Sequence, residues 1–198
     1  MIPYISKKVQ SQSQRQRPSR MKEFVVNPPS SDAIAPIEII SFDPSWPRIF
    51  EIERLLLQDT LAPWTAGPIE HIGSTAVAGL AAKPVIDIMT GVQSLGASRP
   101  AIAALLHLDY VYYPYQPDVM HWFCKPSPSL RTHHLHLVPV ASLLWAQRLS
   151  FRDALRSDAA LAAEYAELKL RLAHQFPLDR EVYTDGKTAF IRRVLSQA

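Results

Sequence analysis

The stretch that most restricts what this chain can become is residues 85–92, Val-Ile-Asp-Ile-Met-Thr-Gly-Val. It is apolar, β-branched and bounded by turn formers, so it reads as a strand covered on both faces. Asp87 is its single charge. A carboxylate among apolar neighbours is costly unless it meets a cation, a metal ion or several donors. Two readings of Asp87 follow: a structural ion pair with Lys83 or an arginine, or a metal-binding or catalytic group.

The rest of the chain is arranged around that strand. Residues 37–40 predict a short strand. Asp43-Pro44 predicts a helix N-cap with proline in the first turn, and Phe50, Ile52, Leu55, Leu56 and Leu57 supply the apolar face as far as Leu61. Residues 68–72 predict a strand that ends at Gly73-Ser74. Residues 101–108 predict a short helix, and residues 110–115, 119–125 and 132–138 three further strands. Beyond Pro139 the segments 143–155, 159–176 and 180–195 are long, amphipathic and rich in good helix formers. Leu161, Tyr165, Leu168 and Leu172 form a core stripe, and at least one of Trp122 and Phe123 faces the core. Strands in the first half and helices in the second predict an α+β (α/β) fold, one sheet covered by helices.

Two more motifs carry chemistry. In Glu70-His71-Ile72-Gly73-Ser74-Thr75 a strand delivers small residues into a turn. Gly73 permits close approach of a ligand, and Ser74 and Thr75 offer hydroxyl and N–H groups to phosphate oxygens. The same turn is also a common structural device. In Arg131-Thr132-His133-His134-Leu135-His136-Leu137, strand alternation puts His134 and His136 on one face, while His133 points with Leu135 and Leu137. The pair reads either as two metal ligands or as hydrogen-bonded histidines lining a polar groove. Lys83 and Arg131 flank the motif strands and suit phosphate neutralisation. Glu70 is a candidate base or metal ligand, and His71 points to the other face as a structural residue. Arg152, Lys169, Tyr183 and Lys187 lie on the later helices, where solvated or capping roles are commoner.

Composition limits the partners. The net charge of +3 comes from residues 1–36, where Lys7, Lys8, Arg15, Arg17, Arg20 and Lys22 face only Glu23 and Asp32. That segment is polar, lacks periodicity and reads as a disordered basic tail, with Met21 as an alternative start; residues 37–198 read as one domain. Without the tail the body is about −1, which argues against a nucleic-acid surface on it. There is no apolar run of membrane-spanning length and no secretory h-region. Cys124 is the only cysteine, so a reducing, cytoplasmic setting is expected. Oligomeric state is not specified by these patterns.

Taken in order, Asp43-Pro44-Ser45-Trp46, Glu70-His71-Ile72-Gly73-Ser74-Thr75-Ala76, Gly79-Leu80, Lys83-Pro84-Val85-Ile86-Asp87-Ile88, Arg131-Thr132-His133-His134-Leu135-His136, Phe151-Arg152-Asp153 and Tyr183-Thr184-Asp185-Gly186-Lys187 with Phe190-Ile191 resemble the GrpB family, a branch of the nucleotidyltransferase superfamily. The resemblance runs from about Ile37 to the C-terminus. It implies a nucleotidyltransferase-like mixed sheet flanked by helices, a Gly73-Ser74 turn for nucleotide phosphates, and Asp87 as the first acid of a metal-binding strand. It also raises Arg152 and Lys187 as phosphate ligands. Met89 occupies the second acid position and His134 or His136 the third, a set unlike the oxygen ligands magnesium prefers. Ala78 stands where the family usually has proline. Family members fused to dephospho-CoA kinase domains suggest nucleotide or coenzyme-A chemistry.

Three functions are therefore expected to compete. One is metal-dependent nucleotidyl or phosphoryl transfer, with Asp87, His134 and His136 holding manganese, zinc or magnesium. The others are a non-catalytic module that binds a nucleotide or coenzyme-A-related ligand, and a metal-dependent hydrolase.

Overall fold

A computed structural model describes residues 36–197. Apart from Pro36, the basic tail read from the sequence lies outside the described residues.

Five strands form one mixed sheet in the order β1-β2-β5-β4-β3: β1 (Thr65–Ile72), β2 (Ile86–Val92), β3 (Val111–Tyr113), β4 (His121–Pro126) and β5 (Arg131–Pro139). Only β2 and β5 run parallel; the other neighbours are antiparallel. The segment that led the sequence reading is thus paired on both sides, and Ile86, Ile88, Met89, Thr90 and Val92 are all buried. Register decides the geometry of the site. Asp87 lies opposite Ile72 on one side and His134 on the other, and Met89 lies opposite His136. Residues directly opposite share a face, so Glu70, Asp87, His134 and His136 all project to the same side.

The other side is covered by α1 (Trp46–Leu61), with α2 (Leu95–Ser98) and α3 (Ala101–Leu105) beside it. Trp46, Leu57, Leu61, Ala101 and Leu105 pack there on Ile86, Ile88, Phe123, Leu135 and Leu137. Full burial of each large apolar side chain contributes about 1.5–3 kcal/mol. On the site-bearing side, α4 (Leu143–Ser157) sets Trp145 against Ile72, Met89, Trp122 and Val138. A second helical layer follows: α5 (Ala159–Gln175), α6 (Arg180–Asp185) and α7 (Thr188–Leu195). Tyr165, Phe190 and Val194 join Leu155 there, and Leu172 meets Ile37 and Tyr183. Trp122 and Phe123 serve opposite faces, as alternation requires.

Four expectations are corrected. Residues 37–40 form no strand of the sheet; Ile40 makes one isolated bridge to Ala82, and the Ile37 amide donates to the Pro177 carbonyl. Asp43 caps a turn rather than the helix, since its Oδ1 accepts from the Ser45 amide at 2.8 Å and α1 begins at Trp46. The buried face of α1 is Trp46, Glu53, Leu57 and Leu61, while Ile52, Leu55 and Leu56 are exposed. On that face Glu53 points inward to an ion pair with Lys125 Nζ at 2.8 and 3.0 Å, beside Trp46, Leu57 and Leu61 in the core. Finally, residues 180–195 form two helices, separated at Gly186, a poor helix former.

Candidate functional site

The site begins at the strand-to-turn junction after β1. Gly73 has φ +70° and ψ −172°, a combination reserved almost entirely to glycine. A Cβ built there would lie 2.4 Å from Asp87 Oδ2. The turn therefore runs directly against the Asp87 carboxylate, and glycine is what lets it do so. A single 3₁₀ turn, Ser74–Ala76, follows.

Asp87 is part-buried, and its carboxylate is shared by two histidines. His134 Nδ1 is 2.9 Å from Asp87 Oδ1 and donates to it; His136 Nε2 stands 3.9 Å from the same oxygen. Burial alone would raise the Asp87 pKa, but the hydrogen bond from His134 and the nearby ring of His136 outweigh it and hold the carboxyl well below its usual range. The His136 ring is buried. Its Nδ1 lies 3.4 Å from the Met120 sulfur, while its Nε2 faces the Asp87 carboxylate; both neighbours accept only. Burial, reinforced by Arg148, pushes His136 down to about 4, which keeps it neutral near pH 7.

This leaves unmet valence at the centre. The Nε2 atoms of His134 and His136 and the Nε of Arg148 are buried without a hydrogen-bond partner, and so is Arg180 Nε. Buried polar groups are nearly always paired; others without a partner are Thr90 Oγ1, Tyr110 Oη, His121 Nδ1 and His133 Nε2.

Cations surround it. Arg148, on α4, is lowered by burial and raised by the Asp87 charge. Lys187, packed on the Tyr183 ring at 4.3 Å, is pushed down to about 8 by burial, with Asp87 opposing the shift and Arg148 adding to it. Lys83 is pushed down to about 8 by burial and by the charges of Arg180 and Arg131. Lys169 is only 2% exposed and donates to the Ala81 carbonyl; burial and Lys187 push it down to about 7. Arg131 lies over the Trp122 ring at 5.3 Å and donates to the Pro128 carbonyl. The other side of that environment is His134, whose ring is 5.0 Å from Trp122. One carboxylate thus faces several cations whose charge burial disfavours.

The sequence candidates divide accordingly. Asp87, His134 and His136 are brought together, with Gly73 against them and Lys83 and Lys187 in electrostatic range. Ser74 is half-buried beside them in the turn. Thr75 is turned inward: 1% exposed, its hydroxyl donates to the Val85 carbonyl and meets His71 Nε2 at 3.0 Å. Glu70 and Arg152 bind each other at 2.6 Å, and Arg152 also holds Asp153 and the His71 carbonyl. The pairing leaves Glu70 no free-base role in this state and spends Arg152 on positioning β1. His71 stacks on Phe50 at 4.6 Å on the far face, as expected of a structural histidine. Lys169 corrects the reading of a solvated residue, because it is buried. Arg148 and Arg180 were missed; the one trace of Arg148 in the sequence is its four-residue spacing from Arg152 on one helix face.

The donor set fits a hard divalent cation poorly. Met89, fully buried two residues on, offers no oxygen ligand, and Asp87 Oδ1 is engaged by His134. Arg148 and Lys187 add positive charge where a cation would sit. Among the described residues, no group of three or more His, Cys, Asp or Glu is placed to hold a metal ion. Nor is any helix among them long and apolar enough to cross a membrane.

Fold and site define a small α+β protein whose mixed sheet carries an Asp–His pair walled by cationic helices. The chain belongs to the GrpB family: the family profile described as GrpB protein matches residues 36–197. It is 41% identical over 167 residues to the UPF0157 protein PA4798 of Pseudomonas aeruginosa, covering 82% of this chain and 67% of that one. It is 33% identical to the Glutamate-rich protein GrpB of Alkalihalophilus pseudofirmus, covering 80% and 94%. The crystal structure of conserved protein GrpB from Enterococcus faecalis superposes with TM-score 0.73 at 30% identity, over 81% of this chain and 96% of that one. A shorter match, 37% identical over 82 residues, is to a dephospho-CoA kinase of Mycolicibacterium paratuberculosis; it spans 39% of this chain and 20% of that protein.

Proposed function

We propose that this protein binds a phosphorylated small molecule, nucleotide-like or related to coenzyme A, among the cationic side chains around Asp87. One observation carries the reading: the Arg148 Nε donor is buried without a hydrogen-bond partner in a region where Lys83, Arg131, Arg148 and Lys187 outnumber the single carboxylate. A phosphate supplies acceptor oxygens for the arginine and lysine donors and offsets the burial, and for the lysines and Arg131 also the neighbouring cations, that lower their pKa values. Asp87 then keeps the histidine pair in register. The partial match to a dephospho-CoA kinase is in keeping with a ligand of this class.

Within the nucleotidyltransferase-like reading of the fold, this is a ligand-binding use of the site rather than two-metal catalysis, because the second acid is Met89 and the third position is imidazole. Calorimetric titration of the full chain with ATP, coenzyme A and pyrophosphate, with EDTA and then with manganese or zinc, tests it. Binding that survives EDTA and weakens at least about tenfold in Arg148→Met and Lys187→Met supports the proposal; each charge-assisted contact is worth about 1.5–3 kcal/mol. Binding that appears only with metal and vanishes in Asp87→Ala transfers the site to the metal-dependent reading. Full affinity in both cation variants excludes this site.

A further inference from the structure

We infer that the outer side of α1 is a self-association surface, on which a second copy of this chain docks antiparallel about a twofold axis. The helix covers the face of the sheet opposite Asp87, so the inference stands apart from the ligand reading. It begins from the apolar residues that the core does not take. Trp46, Glu53, Leu57 and Leu61 are the buried residues of α1. A helix side turned away from the core is ordinarily polar. Here Ile49, Ile52, Leu55 and Leu56 are 37%, 54%, 52% and 45% exposed, all within about two helical turns. A single exposed leucine is ordinary, but a contiguous apolar patch marks an interaction surface.

Charge identifies what covers the patch. Arg48, Ile52, Leu55 and Asp59 follow one another at spacings of four, three and four, which is one seam of a helix, and all four are exposed. The seam therefore carries a cation at its N-terminal end, an anion at its C-terminal end and apolar side chains between. The other charges of α1 are already matched: Glu51 with Arg54 at 2.6 Å and Glu53 with Lys125 at 2.8 Å. Arg48 and Asp59 have no ion-pair partner among the described residues.

Such a seam complements itself when reversed. With the twofold axis passing between residues 53 and 54, Arg48 faces Asp59 of the second copy, and Ile52 faces Leu55 of the second copy. The axis repeats each pair, so one helix side supplies two ion pairs between chains around an apolar centre. Ile49 and Leu56, three and four residues from Ile52, flank that centre on one side. A parallel pair in register would instead set Arg48 on Arg48 and Asp59 on Asp59, which like-charge repulsion disfavours. A helix of this length spans about 24 Å. Two such helices alone cover less than the about 800 Å² per partner of a standard interface, so the dimer is of the weak, reversible kind.

Sedimentation equilibrium of the full chain across the micromolar range tests this. The parent should pass from monomer to dimer as concentration rises. Arg48→Asp and Asp59→Arg each place two like-charge pairs in the interface and should weaken the dimer at least about tenfold. Both positions are exposed, so Tm in dilute solution should not change. Mixing the two variants should restore the parent's association, because the aspartates of one then meet the arginines of the other at both ends of the seam. A folding defect gives no such rescue. A parent that stays monomeric overturns the inference, whether its α1 is bare or cross-links to residues 1–35 of its own chain. A dimer that survives both single substitutions, or variants that fail to associate on mixing, overturns it too.

Discussion

Replacing Gly73 by alanine isolates the contact on which the whole site is built. Two costs are expected. The backbone at φ +70° and ψ −172° is nearly closed to residues with a Cβ, which costs about 1–3 kcal/mol. In addition, the new Cβ would fall 2.4 Å from Asp87 Oδ2 and 3.0 Å from Asp87 Cβ. The carboxylate must rotate away, and the His134 hydrogen bond breaks with it, at about 1–3 kcal/mol. Together the loss is about 2–6 kcal/mol, or roughly 4–24 °C in Tm for a chain of this size. Gly79 is the control: its φ is +77°, yet a Cβ there meets nothing within 4 Å. Gly79→Ala pays only the backbone term, about 1–2 kcal/mol. Thermal and urea unfolding of both variants should differ accordingly, and the Gly73 cost should shrink when Asp87 is already alanine. A Gly73→Ala variant within about 0.5 kcal/mol of the parent, or one with the same cost in both backgrounds, would refute the claim that the turn and the carboxylate are mutually fitted.

Other consequences concern charge. His136 and His71 are both pushed down to about 4, chiefly by burial, so between about pH 6.5 and 4 the unfolded chain binds protons that the native one does not. Stability should therefore fall as pH drops through that window, by up to about 3 kcal/mol per histidine, and His71→Phe should flatten part of the slope in a pH series of denaturant melts. Lys83 and Lys187 lose their charge as pH rises through about 8, so affinity for ATP measured by calorimetry should weaken between about pH 7 and about pH 9; an affinity that rises over this range contradicts the cationic site. Glu53→Ala strands Lys125 on the opposite face of the sheet, and unfolding should show a loss of about 3 kcal/mol with ATP binding unchanged in the folded variant.

Much of the architecture was legible because it follows local rules. The apolar run around Asp87 specifies an interior strand whatever lies beside it. Period-two alternation puts His134 and His136 on one face of β5, and residues 143–195 announce helices through propensity and spacing. The belonging of the chain to the GrpB family was readable in the same motifs. What alternation cannot supply is a partner. That Asp87 meets His134, 47 positions away, depends on β2 and β5 lying parallel in one register, which the packing of helices on both faces decides. The same holds for Arg152, which reaches Glu70 across 82 positions, and for Arg148 and Lys169, basic residues on amphipathic helices that look solvent-bound until the sheet fixes each helix's inner face. On α1 the sequence pattern pointed to Ile52, Leu55 and Leu56, yet the face that packs on the sheet carries Trp46, Leu57 and Leu61 with Glu53 paired to Lys125. The sequence thus determined which residues could do chemistry and on which strand face they stand. Only tertiary structure decided which charges meet, because electrostatic partnership depends on separation in space, and chain order does not contain it.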